Sequence, residues 1–204
     1  MENKSPLFLN TFKSLRDNPK WKINLLILIL ISIITSYIIS QNTNFHTYFK
    51  DMSLSGSQLK QAQKFVTIGV YLNNILGILL TILCMFIVFL IISKIMESDV
   101  KKISLFSASI LFNLINSSIV LVIVLIQWGV GLDLNNYNLT SLNIFDKGSK
   151  FLAIFDLKLL IKGYLFGIVM YSTCLLNKKI SIIYAFSYII VILVFSILFY
   201  YLTV

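Results

Sequence analysis

The chain has 204 residues, 58% of them hydrophobic and 12% charged, with a net charge of +9. A mean hydropathy of +0.89 marks an integral membrane protein with one membrane domain and no sizeable soluble one. Two prolines and eight glycines favour long uninterrupted helices over an alternating β-barrel, so the expected class is all-α.

The basic residues stand in short segments beside apolar runs, as topology signals do, and this excludes a nucleic-acid patch. Cys84 and Cys174 sit in apolar stretches without CxxC spacing, so neither a disulfide framework nor a zinc site is expected.

In chain order, residues 1–22 form a cytoplasmic amphipathic segment. Phe8, Phe12 and Leu15 recur at helical spacing, with Lys13, Arg16 and Asp17 on other faces. Asn18 and Pro19 end that helix, and Trp21 is placed as an anchor at headgroup level. The membrane domain, 23–204, opens with a span over 23–40, read as retained because no small-x-small cleavage pattern precedes Gln41.

The polar stretch that follows holds the lone histidine, His46, read as a solvated loop residue. Ser57 caps a helix that begins at Gln58 and runs directly into the second span, 67–94, where Asn73 and Asn74 form a polar step suited to packing. A short connection of mixed charge leads to the third span, 104–126. There Asn113, Asn116 and Ser117 share one face, either bonding to a neighbouring helix or lining a cavity opposite Lys162. Trp128 is the second interfacial anchor, and the Asn138-Leu139-Thr140 sequon in the next loop carries no weight by itself.

The fourth span, 152–176, alone places charged side chains inside a segment hydrophobic enough to cross a bilayer. Its uncharged run from Gly163 to Leu176 covers about 21 Å of a hydrocarbon core about 30 Å thick, so Lys162 starts inside the hydrocarbon. Lys158 lies one turn earlier on the same face, while Asp156 points to a different side. Two readings of the lysine pair stand side by side. Either both ammonium groups snorkel to the nearer interface, or Lys162 faces a polar cavity or a partner protein.

The fifth span runs over 180–202. Counting basic residues near the span ends gives ten on the side of the amino-terminal segment, among them Lys13, Arg16, Lys101 and Lys178. The other side has five: Lys50, Lys60, Lys64, Lys147 and Lys150. The expected placement is the cell membrane, with the N-terminal segment cytoplasmic and the C-terminal end extracytoplasmic.

Glutamate occurs only at Glu2 and Glu97, and with one histidine the constellations of intramembrane metalloproteases cannot be assembled. HExxH, GxSxG, P-loop and GxGxxG patterns are absent, so no catalytic residue, metal or cofactor is expected, and an energised transport process would take its ATPase from another chain.

Asn18, Pro19 and Trp21 before the first span, Phe155-Asp156-Leu157 opening the fourth, Gly163 to Gly167 within it, and Lys178-Lys179 before the last helix together resemble the Yip1 family of five-span membrane proteins. The third span has Asn113 and Asn116 where members commonly carry a proline. The resemblance implies a bundle of five transmembrane helices. Richness in Ile, Asn and Lys resembles proteins of low-GC Gram-positive bacteria, whose Yip1-like members include small membrane subunits that accompany ABC-type exporters linked to protection from toxic peptides. The expected function is therefore that of a non-enzymatic accessory or assembly subunit, with the lipid bilayer and transporter subunits as partners. Two alternatives remain: a small permease with Lys162, Asn113 and Asn116 along its route, and an autonomous immunity or stress-resistance protein.

Overall fold

The computed structural model describes residues 5–42, 56–132, 134 and 137–203. His46 lies outside the described residues. Among those described, the regular structure is helical, apart from one isolated bridge between Ser141 and Asp156.

A short helix α1 (Leu9–Ser14) precedes α2 (Trp21–Asn42), α3 (Gly56–Ile95) and α4 (Lys102–Gly129). Two 3-10 turns, Leu142–Ile144 and Leu152–Ile154, then lead to α5 (Leu157–Ser172) and α6 (Lys178–Thr203). Four helices, α2, α3, α4 and α6, are long and apolar enough to cross a membrane, so the chain is a multi-pass membrane protein in contact with lipid. Helix α5 has 16 residues and a length of about 24 Å.

The second long helix begins at Gly56, so Ser57 lies within its first turn and does not precede it, and the polar first turns run on into the apolar span as the sequence leads one to expect. One boundary differs from the sequence expectation. The fourth expected span, 152–176, is helical only over Leu157–Ser172, because Asp156 caps it at one end and the chain leaves helical geometry after Thr173 at the other.

Helix α3 ends in a Schellman turn. The Ser98 amide donates to Ser93 O at 2.9 Å and the Glu97 amide to Lys94 O at 3.2 Å, while Glu97 itself takes the left-handed conformation at φ 51°.

The bundle is built around α4. Its small residues Ser104, Ser107 and Ala108 are buried, as are Ser32 and Ser36 on the α2 that packs against it, and small side chains are what let two membrane helices approach closely. Asn74 on α3 donates to Ser36 Oγ at 2.6 Å, so the polar step expected there ties α3 to α2. A cluster of rings joins the remaining elements. Phe89 of α3 packs on Phe112 of α4 and Phe166 of α5, and Phe166 stacks on Tyr188 of α6 with centroids 4.7 Å apart.

Helix α1 docks on α5 with Phe12 and Leu15 in the core and Phe8 packed against it, so the apolar stripe of the amphipathic segment is used against protein. Around it, Thr173 Oγ1 donates to Phe12 O, Arg16 to Asp99 O and Ser98 Oγ to Cys174 O. These bonds gather the N-terminal segment, the α3–α4 connection and the α5–α6 connection at one end of the bundle.

Helices α5 and α6 meet through glycine. A Cβ on Gly163 would overlap the Ile189 side chain, and one on Gly167 would stand 3.0 Å from Ala185 Cβ and 3.3 Å from Ser181 O. The GxxxG spacing on α5 thus serves close helix approach.

Candidate functional site

The start of α5 is fixed by Asp156. Its Oδ1 accepts from the Lys158 amide at 2.9 Å, which satisfies one of the free donors of the first turn. Its Oδ2 accepts from Asn138 Nδ2 at 2.8 Å and pairs with Lys158 Nζ at 3.1 Å. Asn138 Oδ1 accepts in turn from Thr140 Oγ1 at 2.9 Å and from Lys158 Nζ at 3.3 Å. Backbone bonds from Leu157 N to Thr140 O and from Leu142 N to Phe155 O close the loop over the helix end. Burial works against the Asp156 carboxylate. The Lys158 amide, Thr140, the Lys158 ammonium and Asn138 outweigh it and hold its carboxyl below the ordinary aspartate value.

Beyond Gly163, towards this loop, α5 and α6 separate and leave an open cleft of about 950 Å³. Lys158 and Lys162 line it from α5, and Lys150 stands at its rim. The α6 wall consists of Ile192, Phe195, Ser196, Phe199, Tyr200 and Thr203, whose spacing of three and four residues is that of a single helix face. Phe151 packs on Tyr200 with centroids 5.5 Å apart and holds the loop against α6 at the open end.

The two lysines of α5 differ in what surrounds them. Lys158 is bound to Asp156 and Asn138, whereas Lys162 has no ionic or hydrogen-bonding partner among the described residues. With three ammonium groups and one carboxylate on its lining, the cleft carries an excess of positive charge in a largely apolar setting. Such a site favours an anion, because apolar surroundings solvate neither member of the pair and strengthen their attraction.

Asn113 and Asn116 are not brought to the cleft. Asn113 Nδ2 donates to Ser109 O at 2.9 Å and Asn116 Nδ2 to Phe112 O at 2.7 Å, so each amide bonds back to its own helix. Trp21 packs edge-on against Phe106 with Lys22 Nζ 5.5 Å from its ring centre, and Trp128 is exposed at the end of α4. Cys84 and Cys174 are both free thiols, Cys174 in the core. Among the described residues, no three His, Cys, Asp or Glu side chains cluster in a way that would hold a metal.

Asn138 and the polar positions Ser196, Tyr200 and Thr203 were not legible as site residues. Asn138 reads in the sequence as a sequon, although both ends of its amide are used inside the loop. The signal for the other three was present, since they recur every three or four residues along the last apolar run.

No family model, curated protein or solved structure matches the chain.

Proposed function

We propose that the protein is a non-enzymatic accessory or assembly subunit of a membrane complex in the cell membrane, with α5 as a fifth crossing and the N-terminal segment cytoplasmic. The resemblance to the Yip1 family points to an ABC-type exporter linked to toxic-peptide resistance as that complex.

The observation that carries this reading is the division of work among the helices. A third of the most apolar window of α2 and of α4 is buried within the chain, against 11% for α3 and 0% for α6. Helix α6 uses one side against α5 and leaves Ile183, Phe186, Ile190 and Val194 exposed along another. An apolar helix that contributes little of its surface to its own bundle, in a chain this small, suits a helix that packs on a second polypeptide.

Support for a fifth crossing comes from the two ends of α5. Leu157 is bonded to the loop that follows α4, whereas Thr173 is bonded to α1 beside the α3–α4 connection. A length of about 24 Å suffices for a core about 30 Å thick where Lys158 and Asp156 thin or wet the membrane locally.

The permease alternative draws support from the lysine cleft alone. Asn113 and Asn116 bond within their own helix, and α5 and α6 close on each other at Gly163, which blocks a continuous route along that seam.

The assembly reading is tested by photo-crosslinking in native membranes from Phe186 and Ile190, each replaced by a photoreactive residue. A discrete adduct with one other polypeptide is expected from both positions. Adducts with lipid alone at both would contradict the reading.

A further inference from the structure

We propose that the cleft between α5 and α6 is a binding site for a single anionic phospholipid, with its phosphate at Lys162 and one acyl chain along the α6 wall. This does not rest on the assembly reading, since an isolated chain would bind the lipid equally.

The cleft carries both characters of such a molecule. Lys150, the Asp156–Lys158 pair, Ser196 and Tyr200 line it, and Phe195 and Phe199, in the same turns of α6 as the two hydroxyls, are both 68% exposed and so directed towards lipid as well as into the cleft. Its inner end is shut by Ile189 against Gly163, so a chain that enters from the side lies along α6 and not across the bundle.

Charge selects the headgroup. The Asp156 carboxylate is occupied by Lys158, Asn138 and a backbone amide, which leaves the Lys162 ammonium without an anion of its own. A lysine at this depth stands where a phosphodiester lies only if the lipid sinks slightly or the side chain extends towards the loop, and a four-carbon stem permits the second. The hydroxyls of Ser196 and Tyr200, on the facing wall, are suited to donate to the remaining phosphate oxygens. Phosphatidylcholine presents a quaternary ammonium to the same surplus of positive charge and is disfavoured.

The test is native mass spectrometry of the delipidated protein in detergent, titrated with dioleoyl phosphatidylglycerol or dioleoyl phosphatidylcholine. The first adduct is expected to show a preference of about fivefold or more for phosphatidylglycerol, the scale of one lysine acting on an anionic lipid. Lys162→Met should bring that preference close to one, Lys162→Arg should retain it, and Lys102→Met, at the other end of the bundle, should leave it unchanged.

Ser196→Phe provides a second route, because it fills the cleft from the opposite wall with every lysine in place, and it should remove the first adduct. Glycerol phosphate in large excess should not displace the lipid. Equal binding of the two lipids, a preference that survives both Lys162→Met and Ser196→Phe, or displacement by glycerol phosphate, which would show a soluble anion to be the ligand, each overturns the proposal.

Discussion

At the scale of single residues, charge placement at the head of α5 sets the local chemistry. Asp156 is a helix cap and an ion-pair partner at once, and the two roles separate on substitution with asparagine, which caps about as well but carries no charge. Because its carboxyl is held below the ordinary value of 3.8, the charged form stabilises the fold at pH values above that, and this contribution is lost as the pH falls through the lower folded value. Acid titration of the detergent-purified protein should therefore show a loss of thermal stability below about pH 4 that Asp156→Asn reduces. An identical acid profile in the variant would rule out this carboxylate as the source.

The glycines of α5 make a second prediction at this scale. Gly167→Leu should lower stability by about 1–3 kcal/mol, the usual cost of overpacking, because Ala185 Cβ and the Ser181 carbonyl belong to or adjoin the backbone and cannot rotate away. Gly163→Ala should also lower stability, since its Cβ would overlap Ile189, whose β-branched side chain is stiff at χ1, and would stand 3.3 Å from the Ala185 carbonyl. Thermal unfolding in one detergent checks both, and an unchanged unfolding temperature in either variant would argue against close approach at that glycine.

At the scale of elements, what the sequence reveals depends on which force decides. The long helices are legible because their apolar runs admit no other backbone in a bilayer. The limits of α5 are not, since Phe151 to Phe155 is as apolar as the helix itself and only the Asp156 cap and its loop partners break the run. The sequence singles out Lys162 as a charge within an apolar run, but its place in a cleft depends on α6 turning a face with Ser196 and Tyr200 towards it, which no single segment encodes. Asn113 and Asn116 share a face in the sequence reading, yet the second lone pair of the carbonyl one turn back is within reach of each amide, and that local bond is the one made.

The end of α3 provides a test of the same local rules. Glu97 occupies the left-handed position of the Schellman turn, which glycine adopts without a steric penalty. Glu97→Gly should raise stability by about 1 kcal/mol, seen as a higher unfolding temperature. A lower unfolding temperature would mean that the side chain stabilises the turn in some other way.

At the scale of the whole molecule, the contacts sort into two ends joined by apolar helices. One end collects α1 and the α3–α4 and α5–α6 connections through Arg16, Ser98 and Thr173, and the other holds the loop that caps α5 and the lysine cleft. Between them α6 lies largely outside the chain's own core, and the proposed role in a complex rests on that surface.

The most direct measurement of that role is affinity purification of the tagged protein from its own membrane in mild detergent, with the bound chains identified by mass spectrometry. Recovery of a permease or ATPase in fixed ratio is the predicted result. Recovery of the protein alone, under conditions that keep other membrane complexes of the same cell intact, would contradict it.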